Sequence, residues 1–471
     1  MPLTTKSEEV RRLVEKAWDL NLDQVEQAQA IDVLRQALKI DPNFAFGHEL
    51  LSQTSLDPAE QVHEQQEAFA TRHYASGAER LIIEWLQDAN DHKLISAITK
   101  MNDVLSRYPH DKWVVYLANF WLTQQTQYER AIAVFENSGI DSPGLMNNVA
   151  YTYAYSRQFD KAFALMDKYV AALPKDPNPQ DSYAEILRMA GHFDQAIAHY
   201  RAALVLDPNF YSSQFGIADT YSLMGDQARA RQEYEAGFQK FSLLELHRIQ
   251  WRTREAITYV REGDYVAADR AFHDIAERAH SKHMSQPEAE AWRQMALYQQ
   301  NPKRAIAILA KAEAAVQQGK NAMVAALQQE WAQILRARVE AAVEMGNKEL
   351  TASTLAQLAR MSENSNDKIV ESAYHGAAGA VAFSAHKYED AVAHLEEDIN
   401  NPLSLQLLAE AYQKTGDSSA AQRTTETLAN FNDPTVEQAL VVPAFRKCYQ
   451  DPTCNSNFKG VSLKKSFPKT L

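Results

Sequence analysis

The 471-residue sequence predicts an all-α protein, a solenoid of about twelve antiparallel helix hairpins. Three observations carry that prediction. Similar stretches recur at a spacing of 34: Gly191 and Gly225 lie 34 residues apart, as do Ala196 and Ala230, and Ala184 and Ala218. A tetrapeptide, Asp41-Pro-Asn-Phe44, recurs as Asp207-Pro-Asn-Phe210. Only 15 glycines and 16 prolines occur, too few for a turn-rich sheet protein. A fixed period of roughly 20–50 residues marks a chain of stacked units, none of which buries its apolar face alone.

The elements follow from one ruler, the first alanine of the second helix in each hairpin. It falls at Ala30, Ala97, Ala131, Ala162, Ala196, Ala230, Ala268, Ala305, Ala391 and Ala421. Alanine lets two backbones approach and has the highest helix propensity. Gly191, Gly225, Gly263 and Gly416 sit where the first helix must end, which glycine does by turning left-handed. Pro42, Pro109, Pro143, Pro174 and Pro208 follow second helices, which proline cannot continue, and suit the first turn of the next. Segments 44–75 and 320–362 read as further hairpins with weaker markers. The pattern is clearest over 112–240. Beyond Phe241 it lengthens, and His280–Pro287 reads as a longer connection. The expected organisation is a repeat array over 1–240, a divergent helical array over 241–445 and a flexible tail over 446–471.

These positions resemble the tetratricopeptide repeat, a helix hairpin of period 34 with small residues at the helix crossing. The resemblance implies a right-handed superhelix. The whole chain also resembles a group of uncharacterised bacterial repeat proteins, through Pro177-Asn-Pro-Gln-Asp-Ser-Tyr-Ala-Glu185, Leu3-Thr-Thr-Lys-Ser-Glu-Glu9 and Glu437-Gln-Ala-Leu-Val-Val-Pro443. That group implies no biochemical activity. Many of its members are exported, with this start just after a signal peptide, so the resemblance points to export. The absence of an apolar region in Met1–Glu8 points instead to the cytoplasm.

The formal charge is −13, from 48 Lys+Arg against 61 Asp+Glu, so the chain lacks the basic footprint of a general nucleic-acid binder. It is repelled by anionic membranes, and its best apolar run, Gly376–Phe383, is too short to span one. The two cysteines, Cys448 and Cys454, flank a turn and are read either as a disulfide in an oxidising compartment or as two thiols on a tail.

In stacked hairpins the first helices line the concave side. Counting back from the ruler gives Trp113, Tyr116 and Phe120 on that surface, then Asn147 and Tyr151, then Asp181, Glu185 and Arg188, and then Phe215 and Asp219. Such a groove suits a protein or peptide ligand anchored by aromatic rings. The same spacing also suits rings that fill the core between hairpins. The Lys/Asn clamp of co-chaperone repeats is missing from these positions, and so is an asparagine ladder, since Ser182 and Gly216 follow Asn148.

No phosphate loop, nucleophile elbow or zinc-protease helix is present, so no catalytic residue and no cofactor is expected. His273, His280 and His283, near Asp274 and Glu277, read as solvated side chains rather than metal ligands. Lys459, Lys464, Lys465 and Lys469 read as a soluble end. The leading expectation is a binding scaffold. A peptide sensor acting through a second protein comes next, and an enzyme with an unfamiliar site in 241–445 last.

Overall fold

The computed structural model describes residues 1, 3–22, 26–319, 322–365 and 367–449. Among them 25 α-helices and two 3-10 turns occur, and no strand. In chain order they run as twelve helix pairs, from Glu8–Leu22 with Gln27–Ile40 to Pro402–Thr415 with Ser418–Ala429, then a closing helix, Val436–Tyr449. The weakly marked segments are hairpins too: Ala45–Thr54 with Pro58–Thr71, and Val324–Glu344 with Lys348–Ser365.

The ruler has a physical basis. All ten alanines are buried, none more than 4% exposed. Each sits where the second helix crosses the first, and a larger side chain there would push the helices apart. Five residues before eight of the ten ruler alanines the backbone turns left-handed. Glycine holds that place at Gly191, Gly225, Gly263 and Gly416, with φ between 77° and 98°. Four other hairpins make the same turn without glycine, at His92, Thr126, Arg157 and His386, with φ between 55° and 63°. These four turns carry no glycine signal in the sequence, yet the backbone path is the same because the crossing demands it.

The segment His280–Pro287 is not a longer connection. Helix Tyr265–Ser281 and helix Ser285–Leu297 absorb most of it, leaving residues 282–284 between them. Pro287 lies in the first turn of its helix, where a backbone N–H has no intrahelical acceptor to lose.

The chain divides into two compact units, one mainly Met1–Ile217 and the other mainly from Ala218 onward. In the first, the leading helices of neighbouring hairpins pack on each other: Ala45–Thr54 on Gly77–Asn90, and Lys112–Gln124 on Pro143–Tyr155, which packs in turn on Pro177–Met189. The N-terminal segment is fastened across this unit. Thr4 N donates to Glu79 Oε1 at 2.8 Å, and Thr5 Oγ1 donates to Asp41 Oδ2 at 2.7 Å. Asp57, Asp111 and Asp176 cap their helices by accepting first-turn N–H groups.

The second unit holds its hairpins together with buried ion pairs as well as apolar packing. Arg293 pairs with Glu330 at 2.6 Å, and Arg336 with Asp398 at 2.7 Å. Gly376 makes the latter possible: a Cβ there would lie 2.5 Å from Asp398 Oδ2 and 2.7 Å from Arg336 Cζ. The closing helix buries Val441, Val442 and Phe445 against Leu405, Leu428 and Phe431. It continues through Arg446 to Tyr449. Cys454 and the lysines from Lys459 on lie outside the described residues, as does the side chain of Cys448. Among the described residues no helix is long and apolar enough to cross a membrane.

A β-branched residue in the left-handed region is strained, because its Cβ crowds the carbonyl. Thr126→Gly is therefore expected to stabilise the protein by about 0.5–1 kcal/mol, and Gly225→Ala to destabilise it by about 1 kcal/mol. Urea denaturation of the two variants measures both signs.

Candidate functional site

The strip expected on the concave side begins with an aromatic row on helix Lys112–Gln124. Trp113 is only 7% exposed; its ring meets Trp18 and, edge-on at 6.3 Å, Phe46. It is packing for the first unit. Tyr116 contacts Trp18 at 5.5 Å and stacks on Phe120 at 6.2 Å with the planes 6° apart. Phe120 is 44% exposed. Residues four apart on a helix lie one above the other, which brings these two rings into register.

The next leading helix, Pro143–Tyr155, repeats the arrangement. Tyr151 stacks on Tyr155 at 6.2 Å, and Tyr155 stacks on Tyr128 at 6.1 Å. Tyr155 is 39% exposed. Each row therefore runs from a half-buried ring to an exposed one.

A polar network adjoins the rings. The Tyr151 hydroxyl donates to Glu185 Oε2 at 2.8 Å, and Arg188, 4% exposed, donates to Glu185 Oε1 at 2.8 Å. Tyr200 is hydrogen-bonded to Arg188. Ser213 Oγ donates to Asp181 Oδ1 at 2.6 Å. Burial, helped by the nearby Glu185, pushes the Asp181 carboxyl up to about 7 against the pull of Ser213 and Arg188. Burial likewise raises the Tyr151 hydroxyl, and Glu185 and Asp181 add to it. Asn147 lies on the same helix as Tyr151, and its side-chain carbonyl is buried without a hydrogen-bond partner.

Five of the expected residues thus gather in the first unit: Asn147, Tyr151, Asp181, Glu185 and Arg188. Phe215 is wholly buried. Asp219 belongs to the second unit, where it accepts from the Tyr234 hydroxyl. Sequence reasoning missed Trp18, Phe46 and Tyr155, and also Ser213 and Tyr200, the polar partners. Gly216 had a readable signal, a glycine inside a helix. A Cβ there would lie 2.4 Å from the Tyr200 ring, so glycine makes room for the ring that reaches Arg188.

His280 pairs with Glu288 at 3.0 Å and His273 lies edge-on to Trp292, so the expected solvated histidines have local partners. Among the described residues no group of three His, Cys, Asp or Glu side chains is placed to hold a metal ion.

The leading helices that carry the strip hold these residues at one set of positions relative to the buried alanine, with the left-handed turn five residues before it and a 34-residue repeat. The fold is a tetratricopeptide-like array of helix hairpins. No protein-family model matches it. It is similar to the anaphase-promoting complex subunit CDC16 of Saccharomyces cerevisiae, at 25% identity over 232 residues, which is 47% of this chain and 27% of CDC16. Two solved structures are similar in fold. One is a tetratricopeptide repeat protein from Parabacteroides merdae, at 16% identity and a TM-score of 0.38, covering 58% of this chain and 94% of that one. The other is the anaphase-promoting complex hetero-tetramer Cut9–Hcn1, at 13% identity and a TM-score of 0.43, covering 85% of this chain and 76% of that one.

The Asp181 carboxyl gives the site a pH dependence of definite sign. Its folded value is raised above the unfolded one, so the folded state binds the extra proton between about pH 4 and pH 7. Its contribution to stability is present below about pH 4 and is lost as pH rises through about 7. Asp181→Asn keeps an acceptor for Ser213 and removes the titration. The variant is expected to gain stability relative to the native chain on going from pH 4 to pH 8, by on the order of a few kcal/mol. Urea melts at the two pH values measure the difference.

Proposed function

We propose that this chain is a protein-binding scaffold whose first unit holds an extended segment of its partner along the strip from Tyr116 to Arg188. The exposure of Phe120 and Tyr155, each ending a stacked row, carries this reading. Large rings left in water cost hydrophobic free energy, and rigid aromatic stacks are effective anchors because little side-chain entropy is lost on binding. Glu185 and Arg188 offer both charges within one network, which selects register more than it adds affinity.

Two findings support the scaffold class. The candidate strip joins exposed aromatic rings to an ion pair, an arrangement suited to holding a segment of another chain. The curated relative, CDC16, is by its name a subunit of a larger complex, although this chain spans only 27% of its length.

Selection of a random peptide library on the purified chain tests the proposal. Enriched peptides are expected to bind the native chain and to lose at least tenfold in affinity to Phe120→Ala/Tyr155→Ala, with the melting temperature unchanged. Trp113→Ala is expected instead to lower stability by about 3–5 kcal/mol, since its ring is core. A library that enriches nothing, or peptides indifferent to the double variant, would sink the groove reading.

A further inference from the structure

The second unit treats its buried arginines in two ways. Arg293 and Arg336 each meet a carboxylate, at 2.6 and 2.7 Å. Arg261 does not. Its Nε and Nη2 are both buried and neither has a hydrogen-bond partner. These two nitrogens form one edge of the guanidinium, the edge that takes a carboxylate or phosphate side-on with two parallel bonds.

The surroundings make this buried charge more costly. Arg254 lies seven residues earlier on the same helix, Glu245–Glu262, two turns away on the same face. Its guanidinium donates to the Pro434 carbonyl, while Arg446 of the closing helix donates to the carbonyls of Ala429 (2.6 Å) and Phe431 (3.1 Å) and to Asn432. The two arginines thus both donate to one short segment, residues 429–434. Neutral carbonyls satisfy their geometry and leave their charge uncompensated. Asp219 is the acid nearest in effect, and its carboxylate is engaged by the Tyr234 hydroxyl. Burial, together with Arg446 and Arg254, brings the Arg261 guanidinium down to about 10 despite Tyr234 and Asp219. A buried cation with an open bidentate edge and two like charges nearby is the arrangement that an anion relieves.

We propose that Arg261, with Arg254 and Arg446, forms a binding site in the second unit for a small oxyanion, a carboxylate or a phosphate. The anion docks on the Nε–Nη2 edge of Arg261, and Arg254 and Arg446 supply long-range attraction while keeping their own carbonyl partners. This site belongs to the second unit and does not depend on the scaffold reading.

Calorimetric titration of the full chain with inorganic phosphate and, separately, with propionate tests the proposal, with sodium chloride at equal ionic strength as the control. Saturable binding of one or both anions is expected, and none with chloride; the comparison of phosphate with propionate tells which oxyanion the site prefers. Arg261→Met is expected to abolish the binding, and Arg261→Lys, which keeps the charge but loses the fork, to weaken it at least tenfold. Without added anion, Arg261→Met is expected to melt at or above the native temperature, because an uncompensated buried charge has been removed. As a check that needs no variant, the Arg261 Nε–H resonance should shift during the titration in step with the heat. No saturable heat with either anion, binding unchanged in Arg261→Met, or an Arg261 resonance that stays still would overturn the proposal.

Discussion

The structure depends on one close approach repeated along the chain. In each marked hairpin the second helix crosses the first at a buried alanine, and in eight of them the chain has turned left-handed five residues earlier to bring the helices together. An alanine contributes little burial of its own. Its value is that nothing larger stands there, so the flanking large side chains, such as Tyr169, Tyr234 and Phe272, can close over the contact. Where the turn residue is threonine, histidine or arginine the same backbone is adopted with strain, which shows that the crossing outranks local preference.

That constraint also orders the leading helices. The leading helices of the first unit pack on one another and present a regular column of side chains. In the first unit the column changes from core aromatics to exposed ring ends and then to a hydrogen-bonded set of Tyr151, Glu185 and Arg188. In the second unit the leading helices carry buried arginines, mostly matched by acids from a neighbouring hairpin. Arg261 departs from that matching, and so carries the proposal of an anion site.

Much of the fold was legible because its markers are local. The alanines, the glycines at Gly191, Gly225, Gly263 and Gly416, and the prolines act through backbone sterics, which a sequence states directly. The helical course of His280–Pro287 was not legible, since a proline in a first helical turn and a proline in a loop look alike until the capping N–H groups are placed. The candidate strip was half legible. Counting from the ruler found Tyr151, Glu185 and Arg188, and it found Trp113 without showing that Trp18 and Phe46 cover it. Those partners come from helices far earlier in the chain.

By itself the sequence determined the class of fold and the hairpin register, because a 34-residue period and an alanine with no room around it admit few other arrangements. The tertiary structure alone decided which of those residues face water and which are filler. It also decided which charges are answered, pairing Arg188, Arg293 and Arg336 and leaving the Nε–Nη2 edge of Arg261 open. The reason is physical: burial and ion pairing depend on distances between residues tens of positions apart, and no local pattern of residue types fixes those distances.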